Sequence, residues 1–111
     1  MNLPSIALET IIIEAQALLN ETSAHADDFE MILENGIMLK ERINNVNWAT
    51  AQRGDSDLLH HLHAPLNIVL AYSDLILEQP DPALTPSQVA RVQRINRASE
   101  DVDVFILETL E

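Results

Sequence analysis

The chain has no cysteine in its 111 residues, so disulfide frameworks and thiolate metal sites are excluded. That absence suits a reducing compartment, and the cytoplasm is the expected location. Aromatics make up 4% of the chain and there are only two glycines, too few for the turn-rich strands of a sandwich or barrel. Basic residues are scarce, 6 Lys and Arg against 18 Asp and Glu, for a formal net charge of −12. A field of that sign repels phosphate backbones and anionic bilayers, so neither nucleic acid nor membrane is an expected partner. Long apolar runs are also missing. Ile11-Ile12-Ile13 is flanked by Glu9 and Glu14, and with no basic segment before it the run resembles neither a signal peptide nor a membrane span.

What the chain does have is aliphatic material in helical rhythm. Apolar residues are 47% of the total, enough for the core of one domain. Pro4 and Ser5 open a first helix in which Ile6, Ala7, Thr10, Ile13, Ala17 and Leu18 recur at helical spacing. Asn20 to Ala24 reads as a turn, with Thr22 or Ser23 as the cap of the next helix. From His25 to about Ala51, the residues Phe29, Ile32, Leu33, Ile37, Leu39, Ile43 and Val46 predict one long amphipathic helix. Gly36 lies inside it at a cost of about 1 kcal/mol relative to Ala. Gly54, Asp55 and Ser56 either end this helix and cap the next or mark a kink.

A third helix is predicted over residues 57–79, where Leu59, Leu62, Leu66, Val69, Ser73 and Ile76 repeat at alternating spacings of three and four. Pro80, Asp81 and Pro82 stop it. Thr85, Pro86 and Gln88 form a capping-box pattern for a fourth helix, whose Val92, Ile95, Ser99, Val102, Ile106 and Thr109 repeat the same seam. The expectation is an all-α fold of two parts: an N-terminal helical region, residues 1–54, and a helical hairpin, residues 55–111. A hairpin with one apolar stripe per helix holds half a core. Pairing two hairpins across a two-fold axis would complete a four-helix bundle, so a homodimer is expected on packing grounds. The N-terminal helices would extend that bundle as a coiled coil or fold against it.

Three of the four histidines are His60, His61 and His63. At about 100° per residue, His60 points roughly 200° from Leu62, 240° from Leu66 and 180° from Val69, away from the seam. An exposed imidazole is substantially neutral at pH 7, the form needed to attack a phosphoryl group. Pro65 sits inside the helical pattern one turn on, where it removes a backbone hydrogen bond and frees the carbonyl of His61.

The run His60-His61-Leu62-His63-Ala64-Pro65-Leu66-Asn67, continuing through Ala71-Tyr72-Ser73-Asp74-Leu75, resembles the dimerisation and phosphoacceptor box of sensor histidine kinases. The helix from Leu84 to Leu110 is similar to the return helix of that family, so the likeness covers about residues 55 to 111. It implies His60 as phosphoacceptor and the exposed flank around His63 and Asn67, with Arg91 and Arg94, as a docking surface. The implied partner is a response regulator receiver domain or a separate histidine kinase. Departures from the family pattern are specific. His61 replaces the acidic residue that helps activate the phosphoacceptor, His63 stands where Arg is common, and Ala64 occupies the Thr/Asn position that orients water in phosphatases. No Asn box or glycine-rich nucleotide lid is present, so ATP-dependent kinase activity of this chain alone is not expected. No cofactor is expected to bind it, and Mg2+ would come with a response regulator.

Two other readings compete. One is a non-catalytic adaptor or inhibitor that keeps the box only for docking. The other is a metal-binding bundle using His60, His63 and Asp57, although no Glu-x-x-His unit is present and no metal ligand set is assigned. The bland alternatives are a solvated, ion-paired face for Arg91, Arg94 and Arg97, pairing with Glu100 or Asp101, and a helix–helix anchor for Trp48.

Overall fold

The computed structural model describes residues 2–79 and 83–111, and these form four α-helices with no strand among them. They are α1 (Ser5–Glu21), α2 (Ala26–Asn45), α3 (Ser56–Glu78) and α4 (Pro86–Leu110). Each helix packs on two others, α1 on α2 and α4, and α3 on α2 and α4. The result is a closed antiparallel ring of extents 47 × 21 × 19 Å. No helix among the described residues is long and apolar enough to cross a membrane.

The all-α fold is as the patterning predicts, but the four helices of the bundle come from one chain. Leu62, Leu66, Val69, Ser73 and Ile76 on α3 are buried, as are Val92, Ile95, Ser99, Val102 and Ile106 on α4. They share a core with Leu8, Ile11, Ala15 and Leu18 of α1 and Phe29, Ile32, Leu39 and Ile43 of α2. The N-terminal helices thus fold against the hairpin and cover its stripes. The pairing expected of a second hairpin is supplied from within, and burial of the seam requires no second chain.

Of the α1 stripe that the periodicity suggested, only Leu18 is buried. Ile6 and Ile13 are 85% and 58% exposed, while Leu8, Ile11, Ala15 and Leu18 are buried. With Ile at 11, 12 and 13, both faces carry helical apolar repeats, and period alone cannot choose between them. The flanking charges agree with the observed choice. Glu9 pairs with Lys40 of α2 on one side of the Leu8 stripe, and Glu14 and Glu21 pair with arginines of α4 on the other.

Helix α2 ends at Asn45, not near Ala51. Asn44, Asn45 and Asn47 compete for the backbone and favour a turn, and Val46 is extended. Trp48 then folds back as the anchor expected of it. Its Nε1 donates to the carbonyl of Ile43 at 3.0 Å, and its ring meets Phe105 of α4 edge-on at 5.3 Å. At the other end of α2 neither Thr22 nor Ser23 is the cap. His25 takes that place in the left-handed region with φ 56°, and Thr22 Oγ1 accepts from the amide of Ala24 instead.

Gly54, Asp55 and Ser56 do separate two helices. Gly54 has φ 78°, and its amide donates to the carbonyl of Leu110 at 2.6 Å. Arg53 donates to the carbonyls of Glu108 and Glu111, so this loop closes the C-terminal end of α4. Asp55 caps α3 by accepting from the amides of Asp57 and Leu58. The capping box of Thr85 and Gln88 opens α4 as expected. The stop expected at Pro80, Asp81 and Pro82 lies outside the described residues, and α3 itself ends at Glu78.

Gly36 marks a close approach of α1 and α2. A Cβ added there would lie 2.8 Å from Ile11 Cγ2, a branched methyl in the core with nowhere to swing. Gly36→Ala would gain about 1 kcal/mol in helix propensity but push against a packed side chain, which costs about 1–3 kcal/mol. A net destabilisation of about 1 kcal/mol is expected, measurable as a lowered urea midpoint. A rise in the midpoint would mean that the two helices can separate freely.

Candidate functional site

His60, His61, His63, Ala64, Pro65 and Asn67 all lie on α3, roughly one and a half to three and a half turns from its N-terminal cap. Leu62, Pro65 and Leu66 face the core and hold this stretch of helix in place. His60, His61 and Asn67 are exposed, and Ala64 is half-buried. The His60 imidazole therefore projects from a fixed backbone into solvent, as the helical geometry predicts.

His63 turns toward α4 rather than outward. Its Nδ1 lies 3.7 Å from Asp103 Oδ1, with the two side chains 25% and 49% exposed. This contact becomes an ion pair only when the imidazole is protonated. It also sets the register of the hairpin: the first turns of α3 lie beside the last turns of α4. At that end Val104 and Leu107 remain 47% and 54% exposed. Further along, Asn96 Nδ2 donates to Ser73 Oγ at 2.9 Å and to Asp74 Oδ1 at 2.7 Å, a polar clip that locks the two helices together.

Helix α3 is continuous across Pro65, and the carbonyl that Pro65 deprives of a partner is filled from elsewhere. Arg42 of α2 reaches across and donates Nη1 to the His61 carbonyl at 2.8 Å. The proline is thus tied to an interhelical contact next to the candidate nucleophile. Sequence reasoning locates the orphaned carbonyl but not its donor, because a donor 19 residues away leaves no local signature.

The arginines expected to serve docking have partners inside the chain. Arg91 bonds both oxygens of Glu14 at 3.2 Å and Glu21 at 3.0 Å. Arg94 meets Glu14 Oε2 at 3.0–3.1 Å. The hydrogen bond to Glu21, then that to Glu14 and the charges of both, raises the Arg91 pKa against the opposing effect of burial. At about 1.5 Å per residue, Arg94 and Arg91 lie roughly 13 and 18 Å along α4 from Asp103. They stand far from His60 and cannot orient a phosphoryl group on it. The pairing is the ion-paired face weighed from sequence, with Glu14 and Glu21 of α1 as partners in place of Glu100 and Asp101.

No group of three or more His, Asp or Glu among the described residues is placed to hold a metal ion, so the His60, His63 and Asp57 set is not brought together. Comparison of the chain with models of known protein families, with curated proteins and with solved structures gives no match.

Proposed function

We propose that this bundle is a two-component-type signalling module that docks a receiver domain or a separate histidine kinase and relays a phosphoryl group on His60. The observation that carries the reading is the exposed His60 imidazole, held on a rigid helix by the buried Leu62, Pro65 and Leu66. Val104 and Leu107, exposed at the same end of the bundle, offer the apolar contact that a docking protein needs. In the proposed step a neutral His60 ring nitrogen attacks the phosphorus of an aspartyl phosphate in line. The phosphorus–oxygen bond breaks, the carboxylate leaves, and the other ring nitrogen gives up its proton to water. The metal ion and most of the charge stabilisation come from the partner.

The adaptor reading is favoured by a different observation. His61 and Ala64 stand where the family keeps an acid and a Thr or Asn, and Arg91 and Arg94 are held by Glu14 and Glu21. An adaptor would use the same face without phosphotransfer. Incubation with phosphorylated receiver domains and active kinases, followed by an assay for acid-labile phosphate, separates the two. Labelling that disappears in His60→Gln is the expected result. Partner binding without label, unchanged in His60→Gln, would replace phosphotransfer by the adaptor.

A further inference from the structure

A cleft of about 410 Å³ opens where the end of α2 and the Trp48 loop meet the start of α3. It is lined by the half-buried Val46 and Leu58 and by Asn45, Asn47, Gln52 and Arg42. In a chain of net charge −12, Arg42, like Arg53 and Arg97, is not paired with a side-chain carboxylate among the described residues. Lys40, Arg91 and Arg94 each have a carboxylate partner, whereas Arg42 has only the His61 carbonyl, which fixes the guanidinium without neutralising it. Asp55 lines the same cleft, but its Oδ1 is already bonded to the amides of Asp57 and Leu58. The cleft therefore holds a positioned cation that no carboxylate among the described residues meets in an ion pair, with the Asp55 carboxylate held against the start of its own helix. The side-chain amides of Asn45, Asn47 and Gln52 stand beside it, and the half-buried Val46 and Leu58 complete the lining.

We infer that this cleft is a binding site for a small organic monocarboxylate. The carboxylate would take the remaining guanidinium N–H donors of Arg42, the fork that suits it best, with the side-chain amides of Asn45, Asn47 and Gln52 around it. A short apolar body would cover Val46 and Leu58. The charge of the whole chain selects within the class, since a multiply charged anion such as phosphate meets stronger repulsion than a monoanion. The site does not depend on phosphotransfer by His60, although His61 lines it.

The test titrates the isotope-labelled full chain with acetate, butyrate and inorganic phosphate and follows the side-chain amide resonances of Asn45, Asn47 and Gln52. Saturating shifts confined to these residues are expected, tighter for butyrate than for acetate and weakest for phosphate. Arg42→Gln should weaken butyrate binding about ten-fold, the loss of one charge-assisted contact, while Arg97→Gln, at a solvent-facing cation on α4, leaves it unchanged. Should Arg42→Gln fail to fold, Val46→Asp decides, because a second carboxylate in the lining beside Asp55, set where the apolar body would lie, must abolish binding. Shifts that never saturate, equal affinity in Arg42→Gln or Val46→Asp, or phosphate binding tighter than butyrate would each overturn the inference.

Discussion

Leu66→Ala is expected to cost about 3–4 kcal/mol of unfolding free energy, and the loss should be the same in dilute and concentrated protein. Leu66 is fully buried on the inner face of α3, between α2 and α4 of its own chain. Its truncation removes transfer free energy and leaves a cavity that four tightly packed helices cannot collapse around. A domain of this size is held by about 5–15 kcal/mol in total, so this one change removes a large share. The concentration dependence is the sharper part. A bundle assembled from two hairpins would lose stability on dilution by mass action. A bundle closed within one chain has a midpoint that does not move. Chemical unfolding of the wild type and Leu66→Ala at micromolar and near-millimolar concentrations decides this. A midpoint that rises with concentration in both would return the seam to a dimer interface.

The legible parts of the fold are those with local causes. Thr85 and Gln88 announce α4 because a capping box satisfies two backbone amides through neighbouring side chains. The α3 and α4 seams are legible because only one face of each helix is continuously aliphatic. Where two answers satisfy the same local rule, the sequence is silent. The Ile11-Ile12-Ile13 run in α1 allows opposite faces to be buried, and the observed choice is the one that lets Glu9, Glu14 and Glu21 meet cations on α2 and α4. The same holds for the partner of the hairpin. An apolar stripe says that it must be covered, not whether a second copy or the chain's own α1 and α2 will cover it.

The candidate site divides along the same line. The outward direction of His60 follows from helical period, and the orphaned His61 carbonyl follows from Pro65. The residues that complete the neighbourhood, Arg42 and Asp103, come from other helices and carry no mark in the local pattern. Arg91 and Arg94 are the reverse case, an ion-paired face whose partners lie far away in the chain. Basic residues on an exposed face of α4 suggest docking until Glu14, nearly eighty positions earlier in the chain, is placed beside them.

Pro65→Ala is expected to stabilise the protein by about 1–2 kcal/mol and to make Arg42 nearly dispensable. An interior proline costs a helix about 3 kcal/mol through its missing N–H and its clash with the preceding turn. Here two features reduce the gain from replacing it. The Pro65 ring is buried, and its removal forfeits some apolar contact. The His61 carbonyl is already satisfied by Arg42, so the restored N–H competes with an existing bond. Arg42→Gln in the wild type should cost about 1 kcal/mol, the net worth of a partly exposed charge-assisted bond. In the Pro65→Ala background it should cost nearly nothing, because the residue 65 amide then holds the carbonyl. A double-mutant cycle reads this as a coupling of about 1 kcal/mol between positions 42 and 65. Additive effects would mean that Arg42 stabilises the bundle by packing its aliphatic stem, with the His61 carbonyl incidental. Coupling makes Pro65 the reason why α2 is latched to α3 one residue from His60, and places the proline of the His60–Asn67 run in the service of tertiary structure.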